Sequence, residues 1–111
     1  MTQRKIFCKG NVVVNQINVN DIHYEFGYGS GIKLKVIEAP ERDENRIWRW
    51  KSQIIGVSLA RIDSKPEYFE GGKIIDYAVN EDYQHYGANL YNSDEYGMFE
   101  NKRVFSKGGK S

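Results

Sequence analysis

Two histidines, one cysteine and two pairs of adjacent carboxylates are the residues of this chain that could do acid–base, nucleophilic or metal chemistry. His23 and His85 lie far apart in the chain, and Cys8 stands alone. A zinc site needs clustered ligands, so neither histidine nor the cysteine predicts one. Cys8 cannot form a disulfide within the chain, and no histidine lies near it in sequence to draw off its proton. It reads as a small, half-buried strand residue. The pairs Glu81–Asp82 and Asp94–Glu95 sit among turn residues, where neighbouring acids are ordinarily solvated caps rather than an acid–base couple. These residues predict a protein that is not an enzyme, with no catalytic residues, no metal and no cofactor.

The stretch "HYEFGYGSGIKLKVIE" places Gly27, Gly29 and Gly31 at every second position. A loop that cradles phosphate runs from a strand into a helix, whose first amides hold the anion. The residues after Gly31 instead alternate with period two, and no Lys–Ser/Thr pair follows. The glycines therefore predict a hairpin connection needing positive φ, or a bulge that coils the sheet.

Two segments carry residue types suited to recognition. Residues 62–101 hold two lysines against nine acids, a balance of −7, flanked by blocks of +4 on either side within a total of +1. Six of the eight tyrosines fall between Tyr68 and Tyr96. Tyrosine gives a large rigid contact with a polar tip, and charge steers encounter. Glu81, Asp82, Tyr83, Tyr86, Asp94, Glu95 and Tyr96 are therefore the candidate surface for a partner protein with a basic surface. The second segment is "RIWRWK". Arg46, Trp48, Arg49, Trp50 and Lys51, with Tyr24 and Tyr28 of an earlier strand, could stack bases and hold phosphates. They are the alternative site, for a nucleotide-type small molecule or single-stranded nucleic acid. Trp48 and Trp50 read equally as core, because both share a strand face with Ser52 and Ile54.

The elements that position these residues are strands. Ile and Val number 19 against 7 Leu and Ala, a bias toward half-buried pleated surfaces. Ile22–Tyr28 alternates with Ile22, Tyr24, Phe26 and Tyr28 on one face and His23 and Glu25 on the other. Ile32–Val36 alternates likewise, with Lys33 and Lys35 outward. "PERDEN" (residues 40–45) reads as a charged loop and residues 46–55 as the next strand. Val57–Ile62 continues after Gly56, and residues 63–72 form a loop. "KIIDYAV" (residues 73–79) is a further strand. Asn80 then caps a short helix over Glu81–Tyr86, with Gly87 closing it. Val104 and Phe105 add a last strand, and residues 106–111 form a flexible tail.

The pattern predicts one all-β or β-dominated α+β domain over residues 1–105, with at most one short helix. A small SH3-like or OB-like barrel and a coiled antiparallel sheet both fit. No apolar run approaches a membrane span and the first residues lack a secretory h-region, so the chain is expected in the cytosol with no membrane partner.

"HYEFGYGSGIKLKV" and "GGKIIDYAVNEDYQHYGANLY" resemble, in style, small phage and mobile-element proteins of low-GC Gram-positive bacteria. That resemblance implies action by binding, in a host cell's cytosol. The leading expectation is a stoichiometric inhibitor of a host defence or nucleic-acid-handling protein, using the acidic tyrosine-rich surface. A sponge for a nucleotide signal is the second, and a structural or assembly protein of the phage particle the third. The small positive total and the acidic segment weigh against general nucleic-acid binding.

Overall fold

Alternating residues pair where their apolar members can share a face. A computed structural model of the protein describes residues 4–27, 30–59, 71–82 and 89–99. Six strands follow in chain order: β1 (Lys9–Gly10), β2 (Ile22–Gly27), β3 (Ser30–Arg42), β4 (Ile47–Leu59), β5 (Ile74–Asn80) and β6 (Asn89–Tyr91). They form one sheet in the order β1-β6-β2-β3-β4-β5. All neighbours are antiparallel except β1 and β6, which run parallel. The fold is β-dominated, as the residue bias predicts. The sheet is mixed and open, with β1 and β5 at its edges, and is not a closed barrel. Among the described residues, no helix is long and apolar enough to cross a membrane.

β2 and β3 are joined as a tight hairpin, with Gly27 opposite Ser30. Gly27 and Gly31 of the glycine stretch thus lie in the two paired strands. The chemistry differs from the expectation at Gly31, which does not adopt positive φ. Gly31 is required for space: a Cβ there would sit 2.8 Å from the Phe26 ring and 3.3 Å from Phe99. Tyr28 and Gly29 lie outside the described residues.

β3 and β4 are long, and their register shifts between Lys33 and Leu34, between Val36 and Glu38, and between Glu38 and Glu41. Each irregularity bends the pair and increases its twist. Bulges let the ladder continue through Pro40, which cannot donate to it. "PERDEN" is therefore only partly a loop. Pro40, Glu41 and Arg42 belong to β3, and the reversal is confined to residues 43–46. Asp43 makes that turn: its Oδ1 accepts from the amides of Asn45 at 2.8 Å and Ile47 at 3.0 Å. The Ile47 amide is the main cause that holds the Asp43 carboxyl below the usual carboxylate range. Residues 47–59 form one continuous strand rather than two broken at Gly56.

The core lies on one face of the sheet. It gathers Ile32, Leu34, Val36, Trp50, Ile54, Tyr77, Val79 and Leu90. The N-terminal segment covers them with Ile6, Cys8, Val12 and Val14. Each fully buried aliphatic side chain contributes ~1.5–3 kcal/mol. The covering segment is folded on itself by Cys8 N–H to Val12 O (3.0 Å) and Val14 N–H to Ile6 O (2.6 Å). Asn15 fastens it further, accepting from the Ile6 amide and donating to the Arg4 carbonyl. Gly10 is essential to the parallel β1–β6 contact. Its φ is +129°, and a Cβ there would fall on the Leu90 carbonyl.

Candidate functional site

The structure sorts the two predicted surfaces by what their side chains already do. Trp50 is 3% exposed and stacks on Tyr77 with centroids 5.1 Å apart. Trp48 packs against the same core, and its Nε1 donates to Glu81 Oε1 at 3.1 Å. Of the tryptophans of the alternative site, Trp50 is a core residue and Trp48 is half-buried against the core. The cations of that site project from the opposite side of β4 or from the turn before it, and each is engaged. Arg46 meets Asp82 at 3.3 Å, Arg49 meets Asp43 at 3.3 Å and Lys51 meets Asp76 at 2.6 Å. The last contact raises the Lys51 pKa. Tyr24 is buried, and Tyr28 is outside the described residues. An open groove of about 940 Å³ lies over this region, between Glu38–Asp43 and the rows of Arg49, Lys51 and Asp76. Within it Arg49 is paired with Asp43 and Lys51 with Asp76.

The acidic tyrosine-rich set is divided. Glu81 and Asp82 follow β5 at one edge of the sheet. Asn80, the last residue of β5, accepts the Asp82 amide at its Oδ1 at 2.8 Å. Glu81 is a joint: its Oε1 accepts from Arg42 Nε at 2.8 Å as well as from Trp48, while its carbonyl accepts from Arg4 at 2.6 Å. That carboxylate ties three strands' ends together. Tyr83 and Tyr86, and the helix expected around them, lie outside the described residues.

Asp94, Glu95 and Tyr96 follow β6, with β2, β3 and β4 between them and β5. Asp94 builds its turn as Asp43 does, accepting from the amides of Met98 at 3.0 Å and Phe99 at 2.8 Å. The turn presents Tyr96, 63% exposed, on a bed of rings. Tyr96 meets Phe26 edge-on at 5.0 Å and Tyr91 edge-on at 6.0 Å. Beneath, Phe26 stacks on Tyr24 at 6.0 Å, and Phe99 tilts against both. A hydrogen bond with Tyr96 raises the Tyr91 pKa. Phe99 fits because Gly31 and Gly56 leave room for its ring. Tyr96 is thus exposed yet held by the buried Phe26 and the half-buried Tyr91.

One group of chemistry-bearing residues was not legible from the sequence. His23 is buried, 2% exposed, with Nε2 2.7 Å from Ser52 Oγ. Its ring meets Tyr77 edge-on at 5.6 Å, and the Tyr77 hydroxyl donates to Glu25 Oε1 at 2.9 Å. Alternation sets His23 and Glu25 on the face opposite Tyr24 and Phe26, and that face is the one that carries the core. Burial lowers the His23 pKa to about 4 and raises that of Glu25 above the ordinary carboxylate range. Burial and the Glu25 charge also raise the Tyr77 pKa. The His23–Ser52 distance is that of a base and a nucleophile. Ser52 is wholly buried, however, so no reacting atom can approach Oγ, and Nδ1 of His23 meets no orienting partner among the described residues. The contact serves to satisfy polar groups across β2, β3 and β4. Among the described residues no group of three histidine, cysteine or acidic side chains is placed to hold a metal.

No family model, curated protein or solved structure matches the chain.

Proposed function

We propose that the chain is a small binding protein that acts stoichiometrically, without chemistry, by docking a partner protein on the aromatic patch centred on Tyr96. The single observation that carries this reading is the fixed exposure of Tyr96 on a bed of Phe26 and Tyr91, in a turn that Asp94 organises. Glu95 beside it supplies negative charge, so the partner presents a basic surface. Glu81 and Asp82 belong to the fold in this reading, and the docking surface contracts to the β6 side of the acidic segment. A host protein that handles nucleic acid offers such a basic surface, and occupying it would inhibit that protein in the host cytosol.

A second reading rests on Lys33 and Lys35. They extend along β3 on the open face beside Tyr24, with no ion pair among the described residues. A nucleotide or a single strand would use these lysines rather than the tryptophans.

Capture from host lysate with wild-type protein and Tyr96→Ala, followed by direct titration of the purified partner, tests the first reading. The expected result is a basic protein bound by wild type and lost by the variant at unchanged melting temperature. Binding of a labelled oligonucleotide that Lys33→Ala with Lys35→Ala abolishes would support the second reading instead.

A further inference from the structure

The two edges of the sheet differ in how they are guarded. β1 is two residues long and ends at Gly10, whose φ of +129° turns the chain away. β5 runs seven residues, contains no proline and pairs with β4 without a register shift. Long regular edges of this kind are templates for another strand.

The hydrogen-bond phase of β5 shows which groups face outward. The Glu81 amide donates to Arg46 O, and the Ile54 amide donates to Lys73 O. Bonded pairs alternate along an antiparallel ladder. Ile75, Tyr77 and Val79 therefore turn their amides and carbonyls to β4. Ile74, Asp76, Ala78 and Asn80 turn theirs outward, and no strand accepts them among the described residues. On the same strand the side chains of Ile74, Asp76 and Ala78 are exposed, whereas Tyr77 and Val79 are buried against the core.

We propose that two copies of this chain pair antiparallel through β5, joining their sheets across a two-fold axis at Tyr77. The sequence of the edge selects both the occupant and the register. Centring on Tyr77 sets Asp76 opposite Ala78 and Ile74 opposite Asn80, so every outward group meets an outward group. It also sets the exposed Lys73 of each copy opposite Glu81 of the other, whose carboxylate Arg42 and Trp48 hold in place, and beside the exposed Asp82. Shifting the axis to Asp76 would oppose two carboxylates, which is destabilising. Shifting it to Ala78 would set Ile74 opposite Asp82 and leave Lys73 beyond the last acid. A self-complementary edge favours a second copy over a foreign strand.

Sedimentation equilibrium of the full chain tests this from about 1 to about 500 µM, the range suited to a small interface. The mass should rise with concentration from 12.9 kDa toward twice that value. Ala78→Pro removes an outward amide and leaves the β4 ladder intact, so it should hold the protein monomeric. Lys73→Glu, on an exposed residue just before β5 whose ladder bond is made by its backbone carbonyl, provides an independent variant and should weaken pairing at least tenfold with unchanged melting. Under mild oxidation the double variant Asp76→Cys with Ala78→Cys should cross-link, while neither single variant should. A wild-type mass of 12.9 kDa at every concentration would overturn the proposal. So would a dimer that folded Ala78→Pro and Lys73→Glu both retain. Cross-linking by either single cysteine would overturn the Tyr77 axis.

Discussion

The two faces of the sheet treat polar residues in opposite ways. On the covered face His23, Ser52 and Tyr77 are buried and Glu25 half-buried among Leu34, Ile54 and Trp50. His23 meets Ser52 and Tyr77 meets Glu25 at short range, while His23 Nδ1 and Trp50 Nε1 have no partner among the described residues. On the open face Lys51 meets Asp76 and Arg49 meets Asp43 in full view of solvent. A buried polar group left unpaired costs the full desolvation penalty, whereas an exposed ion pair contributes ~0–1 kcal/mol. The covered face is therefore intolerant of change. The ion-paired part of the open face, away from the buried Tyr24 and Phe26, is free to vary at little expense to stability.

The sharpest way to break this comparison is at Trp50. If it is core, Trp50→Ala should destabilise the protein by ~3–5 kcal/mol, as large-to-small changes of buried aromatics do. Denaturant unfolding measures it. A variant that melted like wild type would return Trp50 to the list of site residues.

The next effect is pH dependence. His23 has a folded pKa of about 4 against an ordinary value of 6.5. Below 6.5 the unfolded chain takes up a proton that the folded chain refuses, so stability falls as pH drops from about 6.5 to about 4 and then levels. The full loss is ~3 kcal/mol at 1.36 kcal/mol per unit. Glu25, raised by burial, works in the opposite sense: its contribution is greatest below 4.5 and declines as pH rises through its folded value. Unfolding free energy followed from pH 7 to pH 4 should fall, and His23→Gln should flatten the slope. An unchanged slope in that variant would place the titration elsewhere.

A smaller effect separates two glycines of one hairpin. Gly31→Ala forces the Phe26 ring to move and should cost ~1–2 kcal/mol, within the usual range for overpacking. Gly27→Ala meets nothing within 4 Å and should be nearly neutral. Equal melting temperatures for the two would contradict the account of the aromatic bed that rests on Gly31.

Much of the architecture can be read along the chain where the signal is local. Alternation at Ile22–Tyr28 and Ile32–Val36 and the run over residues 73–79 announce β2, the first half of β3 and β5. The misread parts depend on distant partners. Bulges carry β3 through Pro40 because β4 lies alongside, which "PERDEN" does not reveal. β1 and β6 are too short to show a period, and the chain segments they join lie far apart. His23 and Glu25 look solvent-facing because alternation ranks Tyr24 and Phe26 above them. The N-terminal segment instead covers their side of the sheet, and Ser52 and Tyr77 arrive from β4 and β5 to satisfy them. The exposed Tyr96 was legible as a tyrosine among acids. Its bed was not, since Phe26 and Tyr91 meet only through the β2–β6 pairing.

The central claim is that the covered face is architecture and the Tyr96 patch is recognition. Titration calorimetry of the captured partner against wild type and Tyr96→Ala, with melting curves for both proteins, tests it most directly. The account predicts at least a tenfold loss of affinity, about 1.4 kcal/mol or more, at the same melting temperature. Unchanged affinity in a Tyr96→Ala protein that melts lower would contradict it.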